Sequence, residues 1–207
     1  MDKISDVSGI ILAGGLSTRI GRDKGGLTLG GSPLGQRVVE TIGSIFEEVI
    51  YVTNDPMNAP AGPRIKLAKD EVPHLGPLGG ILAGLRVSDA SRSFIVGYDM
   101  PFATKAVIDF LVRYAPGADA VVVRRDDKLE PLHAVYSRTC ISAISEQLSS
   151  GNNRIIAFYD RIKVTFVDEA ELRTVDPELR SFFNVNTLED LETAEKLLRP
   201  AAESAKD

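Results

Sequence analysis

Glycines and cations that suit a polyphosphate are concentrated in one segment, residues 10–34. An apolar run ends there at Gly14 and Gly15, and Arg19 and Lys24 follow a few residues later. Glycine lets a ligand approach the backbone closely, while exposed amides and cations replace the water and counterions of a polyphosphate. The segment therefore predicts a loop that binds a nucleoside triphosphate at the end of a buried strand.

This loop departs from two common phosphate motifs. The spacing of Gly15, Gly21 and Lys24 does not fit the Walker pattern, and the glycines do not form the Gly-x-Gly-x-x-Gly of a dinucleotide site. The alternative interpretation is an ordinary strand-to-helix connection that uses glycine for a tight turn and leaves its cations in water.

Two carboxylates follow predicted strands elsewhere in the chain. Asp70 comes just after a short strand candidate at 64–68, and Asp99 comes after an apolar strand at 93–96. Because Mg2+ prefers one or two carboxylates together with phosphate oxygens and water, Asp99 is well placed to hold this ion beside a nucleotide. The alternative for Asp99 is a simple turn, in which an aspartate before a proline bonds to its own backbone.

The elements that must position these groups alternate along the chain. Buried-type strands and amphipathic helices predict an α/β protein with three layers, in which helices flank a mainly parallel sheet. Ligands of such sheets bind at the carboxyl ends of the strands, where the loop, Asp70 and Asp99 all fall. We predict one domain at 1–199 and a polar tail at 200–207. Further strands are predicted at 48–53, 118–123, 131–137 and 162–167, and helices at 34–46, 140–148 and 154–159, after Thr104 and after Thr187.

Two further segments, 76–85 and 124–128, have unusual compositions. Residues 76–85 keep a helical apolar stripe although they contain several glycines, which are unfavourable in helices. Either a ligand approaches this backbone or the helix packs tightly on the sheet. Residues 124–128 are almost all charged, and we predict a solvated loop there.

Composition excludes several classes of function. The formal net charge of −5 argues against a general nucleic-acid surface, and no apolar run is long enough to span a membrane. Cys140 is the only cysteine, so an internal disulfide and a cysteine-rich zinc site are excluded, and a buried apolar role is expected. His74 and His133 lack metal-ligand spacing, and we predict that neither is catalytic. We expect a cytoplasmic protein.

Five sequence blocks occur in order along residues 10–191. They are Leu12-Ala13-Gly14-Gly15-x-Ser17-x-Arg19-x-Gly21-x-Asp23-Lys24, Gly76-Pro77-Leu78-Gly79-Gly80-Ile81, Asp99-Met100-Pro101-Phe102, Pro131-Leu132-x-Ala134-Val135-Tyr136 and Asn184-Val185-Asn186-Thr187. Together they resemble the molybdenum cofactor guanylyltransferase family, also named molybdopterin-guanine dinucleotide biosynthesis protein A. The resemblance implies a Rossmann-like nucleotidyltransferase fold, of the nucleotide-diphospho-sugar transferase type.

The resemblance also implies a reaction and its partners. GMP from GTP would be joined to the terminal phosphate of molybdopterin or molybdenum-molybdopterin, with Mg2+ as cofactor and release of pyrophosphate. Proteins that deliver the cofactor and molybdoenzymes that accept it would be further partners. Neither nucleic acid nor a membrane is implied.

Residue roles follow from the same resemblance. Backbone groups of Leu12, Ala13, Gly14 and Gly15 would contact guanine, and Arg19 and Lys24 would neutralise the triphosphate. Asp99 would hold the metal, and Asn184 or Asn186 would help to position the metal or the phosphates. Asp70 would read the base, because guanine presents adjacent N–H donors that the two oxygens of one carboxylate can accept.

Three other functions stay open at this stage. The same fold serves enzymes that use CTP on the same pterin and enzymes that activate a sugar 1-phosphate. The CTP enzymes tend to carry Leu-Ala-Ala-Gly in the first block, whereas this chain has Gly14 there. A nucleotide sensor without turnover is the third alternative, and it would not need Arg19, Lys24 and Asp99 together.

Overall fold

The structure is a computed structural model that describes residues 3–13, 27–56, 59–60, 65–69 and 75–198. Its main sheet has seven strands, and a two-stranded ribbon precedes the first helix. The strands are β1 (Val7–Leu12), β2 (Thr28–Leu29), β3 (Ser32–Pro33), β4 (Val49–Val52), β5 (Ile65–Ala68), β6 (Arg92–Gly97), β7 (Ala120–Arg125), β8 (Lys128–Ser137) and β9 (Val164–Asp168). The α-helices are α1 (Leu34–Ile45), α2 (Gly76–Val87), α3 (Lys105–Arg113), α4 (Cys140–Ser149), α5 (Glu169–Leu172) and α6 (Leu188–Leu198), and 3₁₀ helices span Ile155–Arg161 and Arg180–Phe182.

The main sheet has the order β5-β4-β1-β6-β8-β7-β9. Its first four strands are parallel, β8 is antiparallel to both neighbours, and β7 is parallel to β9. All of these strands except β8 therefore end at one common edge. The predicted α/β class with a mainly parallel sheet is confirmed.

Helices cover both faces of the sheet, which explains why its central strands are apolar throughout. All six residues of β1 are buried. Ile10 and Leu12 pack with apolar residues of α2 and α4, while Val7 and Ile11 pack with those of α1 and α3 on the other face. Successive side chains of a strand point to opposite faces, so a strand between two helical layers must be apolar at every position. The three predicted layers are confirmed.

The glycines of α2 serve packing at one position and lie beside a pocket at another. A Cβ atom on Gly84 would stand 2.7 Å from Ile10 Cγ2, so this glycine lets the helix press against β1. A Cβ on Gly80 would stand 3.3 Å from Leu12 Cδ2, at the end of the same strand. Tight packing on the sheet therefore accounts for Gly84.

The charged segment 124–128 is solvated as predicted, except for the half-buried Arg125, but most of it forms a β-hairpin and not a loop. Arg124 pairs with Leu129 and Arg125 with Lys128, so β7 and β8 continue to a turn at Asp126 and Asp127. Arg125 is half-buried, with its guanidinium carbon 5.2 Å from the centroid of the Phe182 ring. Strand pairing and stacking draw this arginine inward.

The one histidine and the one cysteine that the structure describes are both buried. His133 lies between Phe94 and Phe182, with ring centroids 4.9 and 4.7 Å away, and burial lowers its pKa to about 3. Burial also raises the pKa of the Cys140 thiol to about 12. The expected buried role of Cys140 is confirmed. His74 and the tail at 200–207 lie outside the described residues.

None of the described helices is both long enough and apolar enough to cross a membrane.

Candidate active site

The candidate site is built on the common edge where the parallel strands end. Backbone hydrogen bonds continue across this edge: the Ala13 N–H donates to the Val52 carbonyl at 2.9 Å, and the Tyr98 N–H donates to the Leu12 carbonyl at 3.1 Å. The Thr53 N–H donates to the Ala68 carbonyl at 2.9 Å. The loops that follow β1, β4, β5 and β6 therefore start side by side.

A pocket lies at this edge between β1, β4 and the first turns of α2. It is lined by Leu12, Val52, Thr53, Asn54, Gly76, Pro77 and Gly80. Gly76 has a φ of +68°, which favours glycine, and Pro77 supplies the fixed φ that suits a first helical turn. Two of the seven lining residues are glycines, so the main chain forms part of the wall.

Asp99 lies on the turn that follows β6, on the other side of β1. The Met100 N–H donates to the Gly97 carbonyl at 3.1 Å and closes this turn, and Met100 itself is buried. Asp99 is half-buried and lies at the edge of the sheet. The turn that the sequence offered as an alternative is present, and it presents the carboxylate at the strand end.

The segment Asn184-Val185-Asn186 lies directly against this turn. The Val185 N–H donates to the Asp99 carbonyl at 2.9 Å, and the Val185 side chain is buried with Leu29, Leu34 and Ala194. Asn184 is exposed and Asn186 is half-buried. The buried valine therefore fixes the backbone that carries Asn184 and Asn186 against the Asp99 turn, although these residues are far from Asp99 in sequence.

A capping box holds the far end of that segment. Asp190 Oδ2 accepts hydrogen bonds from the N–H groups of Asn186 at 2.9 Å and Thr187 at 2.8 Å. In return, the Asp190 N–H donates to Thr187 Oγ1 at 3.0 Å. This is the reciprocal pattern of a capping box, and the predicted helix start at Thr187 is confirmed. The position of Asn186 is thereby tied to the start of α6.

The structure describes part of the predicted site. Leu12, Ala13, Asp99, Asn184 and Asn186 are all brought to one edge of the sheet. The predicted residues Gly14, Gly15, Arg19, Lys24 and Asp70 lie outside the described residues.

Gly97 belongs to the site, although the sequence interpretation assigned it no role. A Cβ atom there would stand 2.5 Å from Asp99 Oδ1, closer than real contacts allow. In the sequence, a glycine two residues before an aspartate at a predicted strand end indicates such a position. It identifies the place where that carboxylate folds back over the strand.

Comparisons with known proteins identify the family of this chain. The sequence profile of the MobA-like NTP transferase domain matches residues 9–163. A molybdenum cofactor guanylyltransferase from Desulfosudis oleivorans is 39% identical over 93% of this chain and 96% of that protein. The chain belongs to the molybdenum cofactor guanylyltransferase family. It is therefore an enzyme of the nucleotidyltransferase class.

Further relatives support this membership. A probable molybdenum cofactor guanylyltransferase from Methanosarcina mazei is 35% identical to this chain. The match covers 89% of this chain and 88% of the relative. The crystal structure of molybdopterin-guanine dinucleotide biosynthesis protein A from Archaeoglobus fulgidus superposes with a TM-score of 0.80 at 28% identity, and covers 92% of this chain and 98% of that one. A 4-diphosphocytidyl-2C-methyl-D-erythritol synthase from Anaerococcus prevotii, with a TM-score of 0.70 at 16% identity, shares the fold.

Proposed function

We propose that this enzyme transfers GMP from GTP to the terminal phosphate of molybdopterin or molybdenum-molybdopterin, and releases pyrophosphate. The product is the guanine dinucleotide form of the molybdenum cofactor. Family membership supports the reaction class, and the names of the relatives support guanine as the base and the molybdenum cofactor as the acceptor.

One observation carries the proposal at the level of geometry. β1 and β6 are adjacent, and the Tyr98 N–H donates to the Leu12 carbonyl at 3.1 Å. β1 and β6 therefore end side by side. In the sequence, the glycine-rich segment follows β1 and Asp99 follows β6. A triphosphate held by the first can reach a metal held by the second, which a nucleotidyl transfer requires.

The nucleotide occupies the β1–β4 side of the edge in this proposal. Leu12, Ala13, Gly14 and Gly15 contact guanine through backbone groups, beside the pocket that Thr53 and Gly80 line. Asp70, two residues beyond the end of β5, accepts hydrogen bonds from the Watson–Crick edge of guanine. Arg19 and Lys24 neutralise the triphosphate, and their cationic groups suit the charge that develops on the leaving pyrophosphate.

The residues around Asp99 fit a magnesium ion. Mg2+ keeps several waters and takes one or two carboxylates plus phosphate oxygens, so a single half-exposed carboxylate is an adequate protein ligand. Asn184 and Asn186 can contribute amide oxygens to the metal shell or amide donors to the phosphates. When bound, the ion would neutralise charge on the reacting phosphates.

The reaction needs no protein base. A phosphate monoester has a second pKa of about 6 and is mostly dianionic at neutral pH, so an oxygen of the acceptor phosphate attacks the α-phosphorus directly. The new P–O bond forms as the bond to pyrophosphate breaks. Burial keeps His133 neutral and Cys140 protonated at neutral pH, and the proposal uses neither group. Alignment of two anions and charge neutralisation supply the catalysis.

The test supplies GTP, CTP, ATP and UTP separately with Mg2+ and molybdopterin, and measures pyrophosphate and the mass of the product. We expect turnover with GTP. Turnover with CTP and none with GTP would refute the assignment of the base, and GTP binding without a product would favour a nucleotide sensor. A sugar 1-phosphate that replaces molybdopterin as acceptor would refute the assignment of the acceptor.

A matched pair of variants checks the metal site in the same assay. Asp99→Asn should lower kcat by at least 10²-fold, in line with the roughly 3 kcal/mol lost with one charge-stabilising group. Asp109→Asn makes the same chemical change on α3, where Asp109 pairs with Lys105 at 2.7 Å, and should leave kcat unchanged.

A further inference from the structure

A second cavity opens beside the site, on the side of Asp99 away from the nucleotide pocket. It is a groove of about 440 Å3 between the β7–β8 hairpin, the 3₁₀ helix Arg180–Phe182 and α6. Small-molecule sites span roughly 300–1,000 Å3, so its volume suits a ring system of moderate size. We call it the hairpin groove, and the residues on which the argument depends are Arg125, Phe182, Phe183, Asn184 and Thr193.

Asn184 connects the hairpin groove to the candidate active site. This residue lines the groove, and the next residue, Val185, donates its N–H to the Asp99 carbonyl at 2.9 Å. The groove therefore begins one residue from the turn that carries the proposed metal ligand. A ligand with one end at Asp99 can extend into the groove without crossing the nucleotide pocket.

Strand order separates the two cavities. The nucleotide pocket lies at the ends of β1 and β4, whereas Arg125 ends β7, which lies two strands beyond β6 and points the same way. Two strand spacings are roughly 10 Å. Asp99, on the turn after β6, thus lies between the two cavities in strand order, as a transfer between two bound molecules would require.

Contacts with Glu130 and Phe182 fix the orientation of the Arg125 guanidinium in the groove. Its Nη1 lies 3.1 Å from Glu130 Oε1, and its guanidinium carbon lies 5.2 Å from the centroid of the Phe182 ring. Among the described residues, the contact with Glu130 is the one hydrogen bond of this guanidinium, so N–H donors other than the buried Nε remain for a ligand in the groove. A planar cation stacked on an aromatic ring can donate in its own plane to carbonyl and ring-nitrogen acceptors.

We propose that the hairpin groove binds the planar heteroaromatic ring of the acceptor, and that Arg125 is a specificity-determining residue that hydrogen-bonds to it. The proposal rests on the proposed function, because it takes the acceptor to be a phosphate monoester of a pterin. The phosphate lies near the metal ion that Asp99 would hold, and the ring lies beside Phe183 and the Arg125 guanidinium. Arg125 contributes to the choice of acceptor and does not contribute to the binding of GTP.

The adjacent arginine provides a matched control. Arg124 points to the other face of β7, where its Nη1 lies 3.5 Å from Asp168 Oδ1 and its guanidinium carbon lies 4.9 Å from the centroid of the Phe166 ring. It has the same partner types as Arg125, a carboxylate and a phenyl ring, but it does not line the groove. Arg124→Gln and Arg125→Gln therefore remove the same charge from adjacent positions.

The experiment measures KM and kcat for molybdopterin and for GTP in the full chain. Arg125→Gln should raise KM for molybdopterin at least 10-fold and leave KM for GTP within 2-fold. Arg124→Gln should change neither. Arg125→Lys should behave more like Arg125→Gln than like the unmodified chain, because lysine keeps the charge and loses the planar fork.

Three results would overturn the proposal. One is a KM for molybdopterin within 2-fold of the unmodified value in Arg125→Gln, and another is an equal rise in Arg124→Gln, which would indicate general charge steering. Because Arg125→Gln leaves Glu130 without its cation, the double variant Arg125→Gln/Glu130→Gln is also measured, and a normal KM there is the third. Thermal unfolding of each variant identifies loss of folded protein.

Direct binding separates this proposal from the proposed function. Molybdopterin binding to the unmodified chain and to Arg125→Gln is measured by equilibrium dialysis without GTP. If the unmodified chain transfers GMP but both chains bind molybdopterin equally, the groove proposal alone fails. If the unmodified chain neither binds molybdopterin nor forms a product, the proposed function fails first.

Discussion

The Asp99 carboxylate occupies the space that a side chain at position 97 would need. Asp99 Oδ1 lies 2.5 Å from the point where a Cβ atom on Gly97 would stand, and Met100 Cγ lies 3.5 Å from the same point. A glycine at the end of β6 is therefore the condition for this placement of the carboxylate. The proposed metal ligand can take this position because residue 97 has no Cβ atom.

Gly97→Ala should lower activity more than it lowers stability. The new methyl group must push the Asp99 carboxylate aside, and a short side chain at a half-exposed turn can move at little cost to the fold. We expect kcat to fall at least 10-fold and the Mg2+ concentration for half-maximal rate to rise. Steady-state kinetics over a magnesium titration and thermal unfolding measure the two effects separately.

Gly43→Ala is the control for that variant. Gly43 lies within α1, and a Cβ there would meet nothing within 4 Å. Alanine is favoured over glycine in helices by about 1 kcal/mol, so this variant should be as stable as the unmodified chain or more stable. Its kinetics should be unchanged. Equal losses of kcat in both variants would show that Gly97 has no particular link to Asp99.

Gly84→Ala should show the opposite pattern, with lower stability and normal catalysis. Its Cβ would stand 2.7 Å from Ile10 Cγ2, in a part of the core that is fully buried. Overpacking costs about 1–3 kcal/mol, and the gain in helix propensity offsets about 1 kcal/mol of it. Denaturant unfolding should show a net loss of up to about 2 kcal/mol. A rise in KM for GTP without a loss of stability would instead favour a ligand contact at this glycine.

Lys24→Ala should slow turnover by at least 10²-fold if Lys24 stabilises charge in the transition state. The comparison is the loss of one oxyanion donor, which costs roughly 3 kcal/mol of transition-state stabilisation. Single-turnover measurement of GMP transfer isolates this step from product release. A rate close to that of the unmodified chain would remove Lys24 from the mechanism.

Asp70→Ala should relax the choice of base. Without the carboxylate, the adjacent N–H donors of guanine lose their acceptor, so GTP binding should weaken and discrimination against ATP should fall. Competition between GTP and ATP in the transfer assay measures this ratio. Unchanged discrimination would exclude Asp70 from base reading.

The sequence was sufficient for the fold class and for the common edge of the sheet at which Leu12, Ala13 and Asp99 lie. Apolar strands that end at Leu12 and near Asp99 predict a buried parallel sheet, and such sheets bind ligands at the ends of their strands. It was not sufficient for the hairpin groove. Arg125 looks like part of a solvated charged run, and only strand pairing and the distant Phe182 draw it inward.

Non-local contacts explain the other omissions. The link between Asp99 and Val185 joins residues that are far apart in sequence, so no local pattern predicts it. His133 has a φ of +62° where the register between β7 and β8 shifts, and its neighbours Phe94 and Phe182 come from distant segments. A lone histidine in a strand pattern carries no signal of that burial.

His133 should make stability depend on pH in mildly acidic solution. Burial lowers its pKa to about 3, although the charge of Asp176 opposes this shift, whereas an unfolded histidine has a pKa of about 6.5. Between these values the unfolded chain binds the extra proton, so this group lowers the free energy of unfolding as the pH falls from about 6.5 towards 3. Its contribution to that slope approaches 1.4 kcal/mol per pH unit, and is absent above about pH 6.5. His133→Asn tests this prediction, because asparagine tolerates the left-handed backbone and does not titrate. The unfolding free energy of this variant, measured by denaturant titration from about pH 4 to pH 7, should depend less steeply on pH than that of the unmodified chain. Equal slopes in the two chains would show that His133 titrates alike in the folded and unfolded states.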